Sequence, residues 1–170
     1  MATINQGERG RAIIAPHERL LALVERSGLP HRVQAHTPTR TMRDAAENLD
    51  FEPGRIVKTI AFRVRDGRLV LAALRGTRRV DYARLAALLG VKRRDLAALA
   101  PEEVQDALGV EPGSVSPLPL TDAETLLDAD ALSITPTLYC GLGRPDRTLE
   151  IAPSDLLALC GGKIGAFSKE

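Results

Sequence analysis

A lysine set in an apolar row is the first residue of this chain whose type and surroundings invite chemistry. In RIVKTIAFRV, residues 55–64, strand alternation places Ile56, Lys58, Ile60, Phe62 and Val64 on one face. Val57, Thr59, Ala61 and Arg63 fall on the other. An unpaired ammonium is costly among such neighbours. Two readings follow for Lys58: it snorkels to water from the start of the strand, or it presents its charge at a cavity mouth to an anionic group. Lysine suits a single-point contact to a phosphate or carbonyl oxygen.

Two further stretches have the composition of ligand-binding loops. In EPGSVSPLPL, residues 111–120, Pro112-Gly113 favours a tight turn and Gly113 allows close approach of a ligand to backbone. The N–H groups of Gly113, Ser114 and Val115 are candidates for an anion nest, the plain alternative being a proline-bent connector. In GLGRPDRTLEI, residues 141–151, Gly141 and Gly143 flank a turn, and Thr148 and Glu150 share one strand face. Basic runs at Arg75, Arg78 and Arg79, and at Lys92, Arg93 and Arg94, are candidate phosphate contacts, or solvated faces.

Other chemistries lack their signatures. The chain has no GxGxxG, GxxxxGK[ST] or GxSxG. His17, His31 and His36 do not form HExxH, and Cys140 and Cys160 lie twenty apart without zinc-site spacing. No metal or cofactor is expected.

The elements that must position these residues are legible in outline. A helix is predicted from Pro16 to a stop at Gly28, then a short strand at PHRVQAH, then a helix capped by Thr41 with Asp44 three residues on. The lysine strand ends at Asp66-Gly67, which suits a two-residue type I′ turn, and RLVLAAL returns antiparallel. Helices follow at VDYARLAALLG and APEEVQDALG, each closed by a glycine. AETLLDADAL reads as helical or irregular, LSITPTLYCGLG and RTLEIA as strands, APSDLLALCGG as a last helix and KIGAF as a short strand. Strands interleaved with short helices around a hairpin predict an α/β (α+β) fold, one compact domain over 16–170 behind a leader at 1–15.

Composition narrows the classes. The 170 residues are 44% hydrophobic and 26% charged, which fits a globular domain with a real core. A net charge of +1 gives no global drive toward nucleic acid, so a polyanion site has to be a local patch. Only 3% is aromatic, which leaves little material for stacking single-stranded RNA. No run approaches a membrane span and the cysteines suggest free thiols, so a cytoplasmic protein is expected.

In order and spacing, IVKTIAFR, RRVDYARLAALLGVKR, EPGSVSPLPL and GLGRPDRTLEIAPSDLL resemble the YbaK/ProX family of aminoacyl-tRNA deacylases. The resemblance runs from about residue 17 to 168. It implies a single α/β domain with a mixed, largely antiparallel central sheet. It implies hydrolysis of mischarged tRNA, most often tRNA(Pro) carrying cysteine, alanine or another small amino acid, with no cofactor. The family's essential lysine matches Lys58, and its glycine loop matches Gly113, Ser114, Val115, Ser116 and Pro117, with serine at the second glycine position. The turn before its T-L-E-[LI] strand matches Gly141 to Ile151 and so includes Gly143 and Thr148. His36 and Thr41 stand where family members carry substrate-facing residues.

The implied partners are the acceptor end of an aminoacyl-tRNA and prolyl-tRNA synthetase, with neither DNA nor a membrane. The implied roles are Lys58 on the terminal phosphate or reacting ester and the Gly113 loop on the carbonyl or amino end. Ala61 and Ala72 are candidate small residues of a size-selecting pocket. Two alternatives stay open: a catalytically silent tRNA- or synthetase-binding module, and a hydrolase of an unrelated small ester or amide.

Overall fold

The computed structural model describes residues 15–170; the expected leader lies outside the described residues but for Ala15. The chain opens with helix α1 (Pro16–Ser27), strand β1 (His31–Ala35) and helix α2 (Met42–Asn48). The hairpin β2 (Val57–Val64) and β3 (Leu69–Arg75) follows, then β4 (Arg79–Val80), α3 (Tyr82–Leu89), β5 (Leu96–Ala98) and α4 (Pro101–Leu108). The last part holds β6 (Glu124–Asp128), β7 (Leu138–Gly141), β8 (Arg147–Ile151), α5 (Pro153–Cys160), β9 (Lys163–Gly165) and β10 (Ser168–Lys169).

The predicted caps form. The Thr41 hydroxyl accepts from the Asp44 N–H, Asp81 does the same for Arg84, and α1, α3 and α4 all end on a left-handed glycine.

Five strands make a mixed sheet in the order β5-β2-β3-β6-β9, with two antiparallel and two parallel pairings. A second, wholly antiparallel sheet has the order β1-β8-β7, and β10 pairs with β4. One face of the mixed sheet carries Phe62, Val64, Val70, Ala72, Leu74 and Leu126, packed against Leu85, Ala86 and Leu89 of α3 and against Phe167. The other face carries Val57, Ala73 and Leu127 beneath α1, α5 and the three-stranded sheet. Further along that face, Ala61 and Leu71 meet α4 and Val115.

Three sequence expectations change. The β2–β3 turn is not type I′, because no residue other than glycine has positive φ. Val64 accepts from the Gly67 N–H at 2.8 Å and donates to Arg68 at 2.9 Å, with Gly67 at φ +99. That is a three-residue loop closed by a left-handed glycine, which keeps Asp66 out of a strained conformation. AETLLDADAL contributes β6 rather than a helix, because Leu126 and Leu127 are buried on opposite faces between two parallel neighbours. Ala61 and Ala72 lie in the core and do not line a pocket.

β5 pairs only with Phe62–Val64, so the first half of β2 has no ladder partner on that side. The Gly76 N–H donates to the Ile56 carbonyl at 2.7 Å, which fixes the hydrogen-bonding phase of the β2–β3 ladder. Ile56, Lys58 and Ile60 therefore turn their backbone groups toward β3, and Val57 and Thr59 turn theirs outward. Tyr139 reaches this edge through one parallel bridge at Ile56.

Candidate functional site

A pocket of about 260 Å³ wraps this outward edge. Its wall runs from Ile56 to Ile60 and includes Lys58 and Thr59. Thr41, Met42 and Ala45 close it from α2, Gly113 from the proline-rich loop, and Tyr139, Cys140 and Gly141 from β7. Of the residues singled out in the sequence, Lys58, Thr41, Gly113, Gly141 and Thr148 line it.

The others stand behind it. Ser114 is 1% exposed, Val115 belongs to the core, the Ser116 hydroxyl accepts from Leu118, and the Pro117 carbonyl accepts from Thr125. His36 supports Thr148: its Nδ1 faces the Thr37 carbonyl at 2.7 Å, so in the neutral ring Nε2 accepts from the Thr148 hydroxyl at 2.7 Å. Gly143 donates its N–H to the Ser114 carbonyl at 3.0 Å and so ties the β7–β8 turn to the loop.

Two glycines make the junction possible. Gly113 has φ +86, and a Cβ there would collide with the Arg40 carbonyl. A Cβ on Gly141 would sit 2.5 Å from the Val115 carbonyl oxygen. Ser114, at the position of the second family glycine, has no positive φ, so a side chain there costs no backbone strain. Its N–H is already given to Glu111 at 3.0 Å, so Gly113, Ser114 and Val115 do not present the three free N–H groups of a nest.

Four basic side chains and no carboxylate line the pocket. Arg40 pairs with Glu111 at 2.9 Å, and Arg144 and Arg147 both pair with Asp146 at 2.9 Å. Among the described residues Lys58 has no such counterion; its ammonium donates to the Gly76 carbonyl at 3.2 Å. Burial, and then the nearby Arg79, hold its pKa below the ordinary lysine value. Because Arg144 and Arg147 share one carboxylate, four cations meet two acids; Lys58 is the one with no carboxylate of its own and is partly desolvated, the electrostatic environment that attracts an anion or a developing oxyanion.

Cys140 adds no second nucleophile. It is 2% exposed, and burial, with a smaller contribution from Cys160, pushes its pKa up to about 12. Two hydroxyl oxygens, Thr59 Oγ1 and Ser114 Oγ, are buried and have no hydrogen-bond partner.

Sequence reasoning passed over the aromatic part of the site. Phe51 and Tyr139 line the pocket as a stacked pair, centroids 4.1 Å apart and planes within 5°. The signal available was rarity, since the chain has three phenylalanines and two tyrosines. Arg144 and Arg147 lie within the quoted GLGRPDRTLEI stretch and were passed over for its glycines, while Arg40 joins the site from a separate loop.

With this geometry in place, comparison with known proteins is informative. The family model of the aminoacyl-tRNA editing domain matches residues 36–159. The chain belongs to that family, and all the pocket-lining residues fall within the matched span. Protein YwhH of Bacillus subtilis is 30% identical over 121 residues, covering 71% of this chain and 74% of YwhH. The proline–tRNA ligase of Aquifex aeolicus is 31% identical over 114 residues, which are 66% of this chain but only 20% of the ligase.

Among solved structures, a candidate trans-editing enzyme for prolyl tRNA synthetase superposes with a TM-score of 0.77 at 28% identity, covering 92% of this chain and 99% of its own. The hypothetical protein APE2540 superposes with a TM-score of 0.81 at 26% identity, covering 89% of this chain and all of its own. The mixed α/β single-domain fold is thus that of the trans-editing proteins. No helix among the described residues is long and apolar enough to cross a membrane.

Proposed function

We propose that the protein is a trans-acting deacylase that hydrolyses the ester of a mischarged aminoacyl-tRNA, with tRNA(Pro) carrying cysteine, alanine or a similarly small amino acid as substrate. The observation that carries this reading is Lys58, a cation without a carboxylate partner in a small pocket lined by no acid. The aminoacyl ester has a reactive carbonyl, so catalysis needs position and charge more than a strong nucleophile.

Water adds to the ester carbonyl carbon, the bond to the ribose oxygen breaks, that oxygen takes up a proton, and the free amino acid leaves. Lys58 stabilises the negative charge that develops at the terminal nucleotide or at the carbonyl oxygen. The outward backbone of Thr59, beside Gly113, supplies polar groups for the amino and carbonyl ends, the Val57 N–H being engaged by the Tyr139 bridge. The lining has no Asp, Glu or His side chain to take the proton of the attacking water. The proton therefore ends on the leaving ribose oxygen, with the substrate's own neighbouring hydroxyl as a relay that gives one proton as it takes another.

The volume of about 260 Å³ suits a short amino acid side chain. A second pocket of this kind adds discrimination where one methylene is worth only ~1–3 kcal/mol in a first. Acting beside prolyl-tRNA synthetase fits the likeness to that enzyme's editing region.

The test is incubation of the protein and Lys58→Ala with tRNA(Pro) charged with alanine, cysteine, serine or threonine. Release of at least one amino acid by the wild type, and its loss in the variant, is expected. No deacylation above background by the wild type overturns the reading.

A further inference from the structure

We propose that Phe51, backed by Tyr139, is the stacking platform for the base of the substrate's 3′-terminal nucleotide. This rests on the reading of the substrate as an aminoacyl-tRNA. The two rings lie nearly parallel at 4.1 Å and both are partly exposed at the pocket. The remaining aromatics are committed elsewhere: Phe62 and Phe167 are fully buried, and Tyr82 packs edge-on against Phe62 beneath the Arg93 guanidinium.

The pair is braced as a binding surface has to be. The Arg55 guanidinium sits 4.8 Å from the Tyr139 centroid. Arg55 is itself held by the Thr137 carbonyl at 2.8 Å, by the Thr137 hydroxyl and by Glu150 at 3.7 Å. Glu150 also accepts from Thr137 at 2.7 Å and from Gln34 at 3.1 Å. The His36 ring stands at 89° to Phe51, with centroids 6.2 Å apart. The network joins β1, β7, β8 and the turn before β2, so the rings are set before any ligand arrives.

Size decides what the platform takes. Pockets that enclose a drug-sized ligand run to roughly 300–1,000 Å³. At about 260 Å³ this one falls just below that range, so we place the aminoacyl group inside it and the bulkier adenosine at its opening. The base of the terminal nucleotide therefore lies at the rim while the ester points inward toward Lys58. An aromatic face is the surface to which a rim base binds, with stacking independent of hydrogen-bond readout. The low aromatic content argues against a platform for a long single strand, but one base needs only one ring pair.

The experiment compares the trinucleotide CCA with the same trinucleotide lacking its terminal base, followed by NMR on wild type, Phe51→Leu and Phe51→Tyr, each first checked for a native thermal transition. The wild type and Phe51→Tyr are expected to shift the adenine H2 and H8 resonances upfield and to bind CCA roughly 5- to 100-fold more tightly than the abasic form. Phe51→Leu is expected to lose both effects. Equal or absent binding of the two trinucleotides by the wild type, or an unchanged preference in Phe51→Leu, overturns the proposal. The readout needs no catalysis, so a CCA preference with no deacylation leaves the platform standing and removes the deacylase reading. Deacylation with no base preference does the reverse.

Discussion

The ammonium of Lys58 is held 3.2 Å from the carbonyl of Gly76, the residue that also closes the β2–β3 ladder onto Ile56. Gly76 is buried, and the space a Cβ would take there is filled by the Met42 thioether, 2.5 Å from Cε and 2.6 Å from Sδ. Met42 in turn lines the pocket, so the residue that anchors the lysine also sets how far a flexible side chain enters it.

Gly76→Ala and Met42→Ala are therefore expected to move substrate size preference in opposite directions. An added methyl at residue 76 pushes the thioether, the far end of a flexible chain, into the pocket, while the Ile56 carbonyl oxygen 3.3 Å away has to give only slightly. Relative kcat/KM for alanyl- over threonyl-tRNA should rise roughly 10-fold in Gly76→Ala, a change of about one methyl, and fall by at least as much in Met42→Ala, which removes three side-chain atoms. Parallel changes in the two variants would refute the size gate.

The charge on Lys58 has a cost that its removal exposes. Because burial and Arg79 lower its pKa, the unfolded chain holds this proton more tightly than the native one. Stability from this group rises with pH between the lowered native value and the ordinary lysine value; below that window the cost of keeping the charge is present in full. Lys58→Met should have a higher thermal midpoint than wild type at neutral pH, with the advantage shrinking as pH climbs through the window. Activity should move the opposite way, with kcat down roughly 100-fold or more, as for removal of an oxyanion donor. A lower midpoint at neutral pH would count against this account.

Local rules carried much of the fold. Thr41, Asp81, Gly28, Gly90 and Gly109 each begin or end a helix where short-range capping chemistry says they should. β6 escaped because its neighbours β3 and β9 arrive from distant sequence, and burial on both faces removes the alternation that marks a strand. The Asp66-Gly67 pair serves both two- and three-residue hairpin loops, so the dipeptide alone leaves the loop length open by one residue.

The site divides along the same line. Lys58 stood out as a charge breaking a periodic row, and Gly113 as a glycine between prolines. Phe51, Tyr139, Arg40 and Arg144 lie on four separate segments and carry no pattern until the chain folds them around one edge of β2.

Cys140 lines the pocket, yet its thiol stays protonated at neutral pH with a pKa pushed up to about 12. The thiolate is the reactive form, so alkylation by iodoacetamide at pH 7.5 should be far slower at Cys140 than at the more exposed Cys160. Mass mapping of the modified peptides reads this directly. Cys140→Ala should keep most of the deacylase activity, whereas rapid labelling of Cys140 protected by substrate would reinstate it as a participant.

Thr59 provides the sharpest separation of stability from function. Its Oγ1 is buried without a partner on the open half of β2, and an unsatisfied buried hydroxyl costs about 1–3 kcal/mol. Valine has nearly the same shape and an equal liking for strands, so Thr59→Val removes the orphan atom without opening a cavity. The denaturation midpoint should rise, by about 1 kcal/mol in unfolding free energy.

Thr59 lines the pocket beside Lys58, so a change of its rotamer is expected to carry the orphan hydroxyl from its buried position to a partner on the substrate. Thr59→Val should then lose roughly 10-fold in kcat/KM on the preferred mischarged tRNA, and Thr59→Ser should recover most of it. Urea melts and deacylation rates measured on the same three proteins decide the matter. A stabilised valine variant with wild-type activity would mean that the hydroxyl does nothing for the reaction.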